Sequence, residues 1–377
     1  MTTGDARATD GTDQDSVGST HASNTNPPAL PDLPQHHFTD MSALSPHDDG
    51  KMPLVSVIVP LFNSEAYVSR CLESVLIQDY GNLELICIND GSTDGTGTFL
   101  SRLASADRRV RVLTQENRGA GASRNLGLSV ACGEYIMFLD SDDLLLPRCI
   151  DTCVRHMVAE ELDMLLFSAV IERADNFAAN HSLNYYKMDR ACQPDPTSGV
   201  QLYVWLRKCH EYRASPCTRM VSAELLTGSR ATFAEGVIHE DESFAFSLML
   251  SAHRCLCIPD GLYMRLLRPG SVMTGSGCLK HVVGLTEAVR LMVATGRNLT
   301  PHTPERSTAV GHTFRILGAA TLQFLARPWT FAAISPLLRA AGAWALFAVS
   351  SAVARPRPPA PPASTNPRLA PQPGLTG

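Results

Sequence analysis

The chain has 377 residues and a formal net charge of −5, yet eight acidic residues against the single basic Arg7 give residues 1–50 a net −7 and leave the other 327 at +2. A nearly neutral body argues against nucleic-acid binding, which shows as clustered Lys and Arg, and weighs against a polyanionic partner. Thirteen of the 25 prolines fall in 1–50 and 355–377, both short of large apolar residues, so both ends are expected to be disordered while roughly 300 residues remain to build a core.

The opening MTTGDARATDGTDQDS has neither a basic start nor an apolar run, so no secretory signal is expected and the cytosol is the expected compartment. Eleven cysteines, an odd number scattered through apolar stretches, suit buried thiols better than a disulfide framework. Cys255 and Cys257 alternate as in a strand, without the partners of a zinc site.

From residue 53 short apolar runs alternate with amphipathic stretches. Leu54 to Val59, closed by Pro60, reads as a buried strand, and Glu65 to Gln78 as a helix with Val68, Cys71, Leu72 and Val75 near one face. Leu83–Ile88, Val110–Leu113 and Tyr135–Leu139 read as further strands, with helices over Asp94–Leu103 and Gly119–Val130 between them. Such alternation predicts right-handed crossovers and a mostly parallel sheet with helices on both faces, with ligands at the carboxyl ends of the strands. After Leu166 the elements shorten. Helices are expected over Val282–Ala294 and Thr308–Ala326, then an apolar segment from Phe331 to Ala354 broken by Pro336. Its longest uncharged run, Ala340 to Ala354, is fifteen residues, short of the about 18 to 20 that span a bilayer.

Three polar clusters sit at the predicted ligand edge. In Asn89-Asp90-Gly91-Ser92-Thr93-Asp94-Gly95-Thr96, Ser92 or Thr93 could cap the next helix, whereas Asp90 could accept the N–H of a nucleotide base. In Asp140-Ser141-Asp142-Asp143, three carboxylates within four residues repel one another unless a cation or a raised pKa relieves them, and Mg²⁺ or Mn²⁺ binds such oxygens together with substrate phosphates. A solvated acidic loop is the plainer alternative. Arg118-Gly119-Ala120-Gly121-Ala122-Ser123-Arg124-Asn125 offers backbone N–H groups and two guanidinium groups to a diphosphate, or small residues for close packing.

Together these blocks resemble the inverting family-two glycosyltransferases of GT-A fold. The match runs through Val57-Ile58-Val59-Pro60-Leu61-Phe62-Asn63 with Glu65, the Asn89–Thr96 block, Glu116 to Gly127, and Gly133 to Asp143. It is close over residues 53–150 and thinner to about 275, where Pro216-Cys217-Thr218-Arg219 resembles the acceptor-side segment. His239-Glu240-Asp241-Glu242-Ser243-Phe244 resembles the Glu-Asp block, and Leu262 to Arg265 through Pro269-Gly270-Ser271-Val272 the closing strand.

The resemblance implies an α/β GT-A domain over 51–275 between disordered segments at 1–50 and 355–377, with a helical extension at 276–354. It implies metal-dependent hexosyl transfer, one sugar at a time, from a UDP-sugar to a hydroxyl of a glycan or lipid-linked glycan, with inversion, in surface polysaccharide synthesis. Asp90 would then read the base; Pro60, Phe62 and Glu65 would line the nucleoside pocket. Arg118 and Arg124 would meet the diphosphate, Asp140 the ribose, and Asp140 and Asp142 an Mn²⁺ or Mg²⁺ ion. Asp241 would be the general base, with His239, Glu240 and Arg265 orienting it or facing the acceptor. Gln323 and Arg327-Pro328-Trp329 resemble the processive synthases' block only at the wrong spacing, and read as packing.

A sugar nucleotidyltransferase is the first alternative, disfavoured because the loop after the first strand has no glycine or positive charge. A non-catalytic binding scaffold is the second, disfavoured because Asp140, Asp142 and Asp241 are all present. Trp344, Leu346 and Phe347 near Arg339, with Arg355, Arg357 and Arg368 in an acid-free tail, suit either peripheral attachment to the cytoplasmic face of a membrane or packing on the domain.

Overall fold

The computed structural model describes residues 52–173, 185–267, 279–325 and 331–353. The two expected disordered ends, Pro269 to Val272, and Arg327 to Trp329 lie outside these. The first strand, β1 (Val55–Leu61), is buried along almost its whole length, as a β-branched run covered on both faces must be. It pairs in parallel with β2 (Leu83–Asp90) on one side and β4 (Tyr135–Phe138) on the other, and β3 (Val110–Gln115) extends the β2 side. Helices α1 (Val68–Leu76), α2 (Thr96–Ala106) and α3 (Ala120–Val130) make the crossovers.

Beyond β4 the sheet becomes mixed. β7 (Arg219–Ser222) runs antiparallel between β4 and β6 (Met164–Arg173). The long β8 (Cys255–Leu267) is parallel to β6, and the short β5 (Leu144–Leu145) pairs antiparallel with it. The order is β3-β2-β1-β4-β7-β6-β8-β5. Strand order reverses at β1, between β2 and β4, which sets a crevice at their carboxyl ends. Ser64 and Ser141 bridge that crevice through their hydroxyls at 2.8 Å.

The opposite end of the sheet is held by a buried carboxylate. Glu84, in β2, accepts from the Ser56 hydroxyl (2.6 Å), the Cys132 N–H (2.7 Å) and Arg111 (3.0 Å). These donors outweigh the upward push of burial and hold its pKa below the usual value.

Helices α4 (Cys149–Ala159), α5 (Gly199–Lys208), α6 (Ala223–Ser229) and α7 (Glu240–Ser251) come next, then α8 (Leu279–Arg297), α9 (Pro304–Leu325) and α10 (Phe331–Val353). The last three pack on one another, and they meet the sheet domain through α8 on α7 and α9 on α5. The expected break at Pro336 is absent, since α10 runs through it. A proline this near a helix start removes only one interior hydrogen bond. Among the described residues no helix is long and apolar enough to cross a membrane. Cys255 and Cys257 are buried in β8, as core packing requires.

Candidate active site

The crevice floor is two loops tied together. Asn63, in the left-handed region (φ 46°), accepts from the Thr93 N–H at 2.8 Å and donates its own N–H to the Ser92 hydroxyl at 3.1 Å. Glu65 Oε2 accepts the Gly95 N–H at 3.0 Å, and Asp94 accepts the N–H groups of Thr96 and Glu65. The start of α2 is therefore capped by Asp94 and Glu65, not by Ser92 or Thr93, whose hydroxyls serve the loop above. Pro60 is half-buried beside this floor, and the Phe62 ring stands 50% exposed at its mouth.

Asp90 is 2% exposed at the end of β2. Its Oδ1 accepts from Gln115 (2.7 Å) and the Arg118 N–H (2.9 Å), and its Oδ2 from the Gly119 N–H (2.8 Å). One lone-pair direction of the carboxylate remains for another donor. No motif pointed to Gln115.

The three acids after β4 take three different environments. Asp143 turns inward, 1% exposed, and accepts from the Tyr263 hydroxyl (2.6 Å) and the Leu266 N–H (2.8 Å), pinning the loop to β8. Burial, then the charges of Asp142 and Asp140, push its pKa up to about 8. Asp140 lies against Arg124 (2.7 Å) and Arg265 (3.9 Å), and although burial alone would raise its pKa, these two cations hold it below the usual carboxylate value. Asp142 is half-buried and lines a small pocket with Tyr67, Arg70 and Met264. The cluster is thus not a freely solvated loop.

Arg124 joins the two halves of the site. From α3 it is buried, donates to Asp140 and to Glu240 Oε1 (2.6 Å), and lies 5.3 Å over the Phe233 ring. Asn125, next to it, exchanges two hydrogen bonds with the Phe233 backbone, and Arg118 reaches Glu235 at 2.6 Å. Both guanidinium groups expected to meet a diphosphate therefore rest on carboxylates. Beneath them Phe138, Phe233 and Phe244 form one aromatic cluster, with Phe233 stacked on Phe244 at 3.8 Å.

The loop Ala234–His239 is gripped from both sides. A Cβ on Gly121 of α3 would lie 2.2 Å from the Ala234 carbonyl, and one on Gly284 of α8 would lie 1.9 Å from that of Ile238, so only glycine permits these approaches. His239, in the left-handed region (φ 62°), is the residue before α7, and Glu240, Asp241 and Glu242 form its first turn, where the helix dipole favours acids. Asp241 therefore lies inside the helix and is not its N-cap. Burial, then the charge of Glu240, push its pKa up to about 6, against the pull of Arg124. His239 faces His281 of α8 at 2.9 Å, and Arg265 lies 5.1 Å over the Tyr186 ring. The site thus brings together Asp140, Arg124, Glu240, Asp241 and Arg265. Among the described residues, no three His, Cys, Asp or Glu side chains gather into a complete metal cage.

The model of the family described as glycosyl transferase family 2 matches residues 56–215. The chain is 31% identical over 227 residues to the glycosyltransferase GlyG of Streptococcus pneumoniae serotype 4, covering 58% of this chain and 73% of that protein. It is 27% identical over 256 residues to GlyA of the same organism, covering 66% of this chain and 36% of that one. The structure of S. aureus TarS 1–349 in complex with UDP-GlcNAc superposes with a TM-score of 0.61 at 21% identity, covering 78% of this chain and 81% of that one.

Proposed function

The chain belongs to glycosyl transferase family 2, with a GT-A fold, and we propose that it moves one sugar from a UDP-sugar to a hydroxyl of a glycan or lipid-linked glycan with inversion, in surface polysaccharide synthesis. The observation that carries this reading is the Arg124 bridge. It sets Asp241, a carboxyl with a raised pKa, on the same charged network as the donor-side Asp140.

In this reading the nucleoside lies over the floor of Pro60, Phe62 and Glu65, and the base donates to the remaining lone pair of Asp90. Arg118, exposed on its Glu235 partner, swings to the diphosphate. Asp241 accepts the proton of the acceptor hydroxyl as its oxygen bonds the anomeric carbon, and the bond from that carbon to the diphosphate breaks with its electron pair leaving on the nucleotide. A pKa near 6 leaves Asp241 ionised at neutral pH and still basic enough to help. His239, Glu240 and Arg265 hold the acceptor side.

The residues fit an Mn²⁺ or Mg²⁺ ion, because hard divalent ions need only one or two carboxylates when substrate phosphates supply the rest. Asp142 would hold it, beside Asp140, whose two oxygens face Arg124 and Arg265. When bound, such an ion offsets charge developing on the departing diphosphate.

Residues 276–354 form, in this reading, a helical extension of the 51–275 domain that also meets the cytoplasmic face of a membrane. The inner face of α10 packs through Phe347 and Ala340, while Leu338, Gly342, Ala345 and Leu346 line an exposed apolar face beside Arg339, which suits an anionic leaflet. Flotation of the full chain with anionic liposomes, lost in Leu338→Glu/Leu346→Glu, supports attachment; equal flotation of both proteins contradicts it.

Nucleotide binding tests the donor side. UDP affinity should rise at least tenfold in Mn²⁺ over excess chelator, and Asp142→Asn should lose that gain while folding normally. Equal affinity in both conditions overturns the metal assignment.

A further inference from the structure

Two histidines from the C-terminal helices reach the same turn of α7. His281, on α8, meets His239 immediately before that turn, with ring nitrogens 2.9 Å apart. His312, on α9, points its Nε2 at Glu242 Oε2 from 3.7 Å. Glu240 and Asp241 lie between these two contacts in sequence.

The orientation of His312 is set by its neighbours. Arg315 donates to the Tyr203 hydroxyl oxygen at 2.6 Å, and Tyr203 lies 2.6 Å from His312 Nδ1. With its oxygen already accepting from a guanidinium, the hydroxyl suits Nδ1 as a donor, and in that arrangement the neutral ring carries its proton on Nε2, which faces Glu242. Burial, then the charges of Arg315 and Arg207, keep the ring neutral. The ring is also stacked on Phe246 at 4.2 Å and 28°.

His312 Nε2 and Glu242 Oε2 are both buried and make no hydrogen bond. A buried polar atom left without a partner is destabilising. The two stand 3.7 Å apart, and a closure of about 1 Å, of the kind sites undergo on forming the substrate complex, would join them.

Resting on the assignment of Asp241 as the base, we propose that His281 and His312 are positioning residues, which brace the first turn of α7 from α8 and α9 and so set where Asp241 stands. The C-terminal helices are then part of the catalytic apparatus. A displacement of about 1 Å at a catalytic group can cost a hundredfold in rate, so the effect belongs in kcat and not in donor binding.

The test uses the full chain with UDP-sugar turnover, UDP binding in Mn²⁺ and thermal melting. His312→Phe keeps the stack on Phe246 and removes both nitrogens; His312→Gln restores a donor near the Nε2 position. His281→Leu and His281→Asn form the matching pair for Nδ1. The expected result is a tenfold or greater fall in kcat for His312→Phe and His281→Leu, UDP affinity within twofold of the parent, and recovery to within threefold in the Gln and Asn variants. Should His312→Phe fail to fold, the His281 pair decides alone. Parental kcat in the folded Phe and Leu variants overturns the proposal, as does a fall in kcat matched by an equal loss of UDP affinity. Combining each with Asp241→Asn separates the two assignments, because a positioning role predicts no further loss once the base is gone. Additive losses overturn the positioning role. Near-parental turnover of Asp241→Asn alone overturns the base assignment instead, and this proposal with it.

Discussion

Replacing Arg124 with methionine removes a cation that touches both Asp140 and Glu240 while keeping much of the volume over Phe233. The guanidinium is 5% exposed and makes charge-assisted bonds of 2.7 and 2.6 Å. Breaking a buried pair by removing one partner costs about 3–5 kcal/mol, because the remaining charge is left uncompensated. In a domain of this size each kcal/mol shifts Tm by roughly 2–4 °C, so Arg124→Met should melt roughly 6–20 °C below the parent at pH 7.5. Arg124 holds Asp140 below its unfolded pKa. The stabilisation is therefore present above the unfolded value of about 4 and fades as acid protonates the folded carboxylate. The deficit should therefore persist down to about pH 4 and fade only below it. Differential scanning calorimetry at pH 7.5 measures the deficit, and at pH 4.5 its persistence. A Tm within 2 °C of the parent at pH 7.5, or a deficit already lost at pH 4.5, would refute the bridge as the link between the two halves of the site.

Two further outcomes rest on the same geometry. Since Asp241 must be deprotonated to accept a proton and its pKa is raised to about 6, kcat/KM should climb through about pH 6 and level off above it, whereas a profile flat from pH 5 to 8 would contradict that role. Gly121→Ala puts a Cβ where the Ala234 carbonyl now stands, so Tm should fall by the equivalent of roughly 1–3 kcal/mol, with parental melting counting against the tight seating of the loop that leads into α7.

The first half of the fold is plain in the residues because its information is local. β1, β2 and β4 announce themselves as apolar runs closed by Pro60, Asp90 or Asp140, β3 is the short apolar run between two helices, and their alternation with helices fixes both parallel pairing and the ligand edge. The same local logic placed Asp140, Asp142 and Asp90 at that edge. The sheet beyond β4 depends on long-range pairing: β7 joins antiparallel, and two-residue β5 pairs with β8 more than a hundred positions later, which no period in the sequence reveals. Capping misled for a similar reason, since Glu65 caps α2 from another loop.

The site's internal wiring was the least legible part. Arg124 and Asn125 read as a phosphate-binding helix start, yet their partners Glu240 and Phe233 lie over a hundred residues away. His281 and His312 carry no motif at all, and only the packing of α8 and α9 shows that they face α7. The inward turn of Asp143 is likewise set by Tyr263 on β8, which composition could not indicate.

The most direct test is Asp241→Asn, with release of UDP from a UDP-sugar in Mn²⁺ measured alongside UDP binding and thermal melting. Asparagine keeps the shape of the turn and removes the proton acceptor, whose help is worth roughly 10² to 10⁴ in rate. Turnover should fall at least about a hundredfold below the parent, with UDP affinity and Tm unchanged. Near-parental turnover in a folded, UDP-binding variant would contradict it.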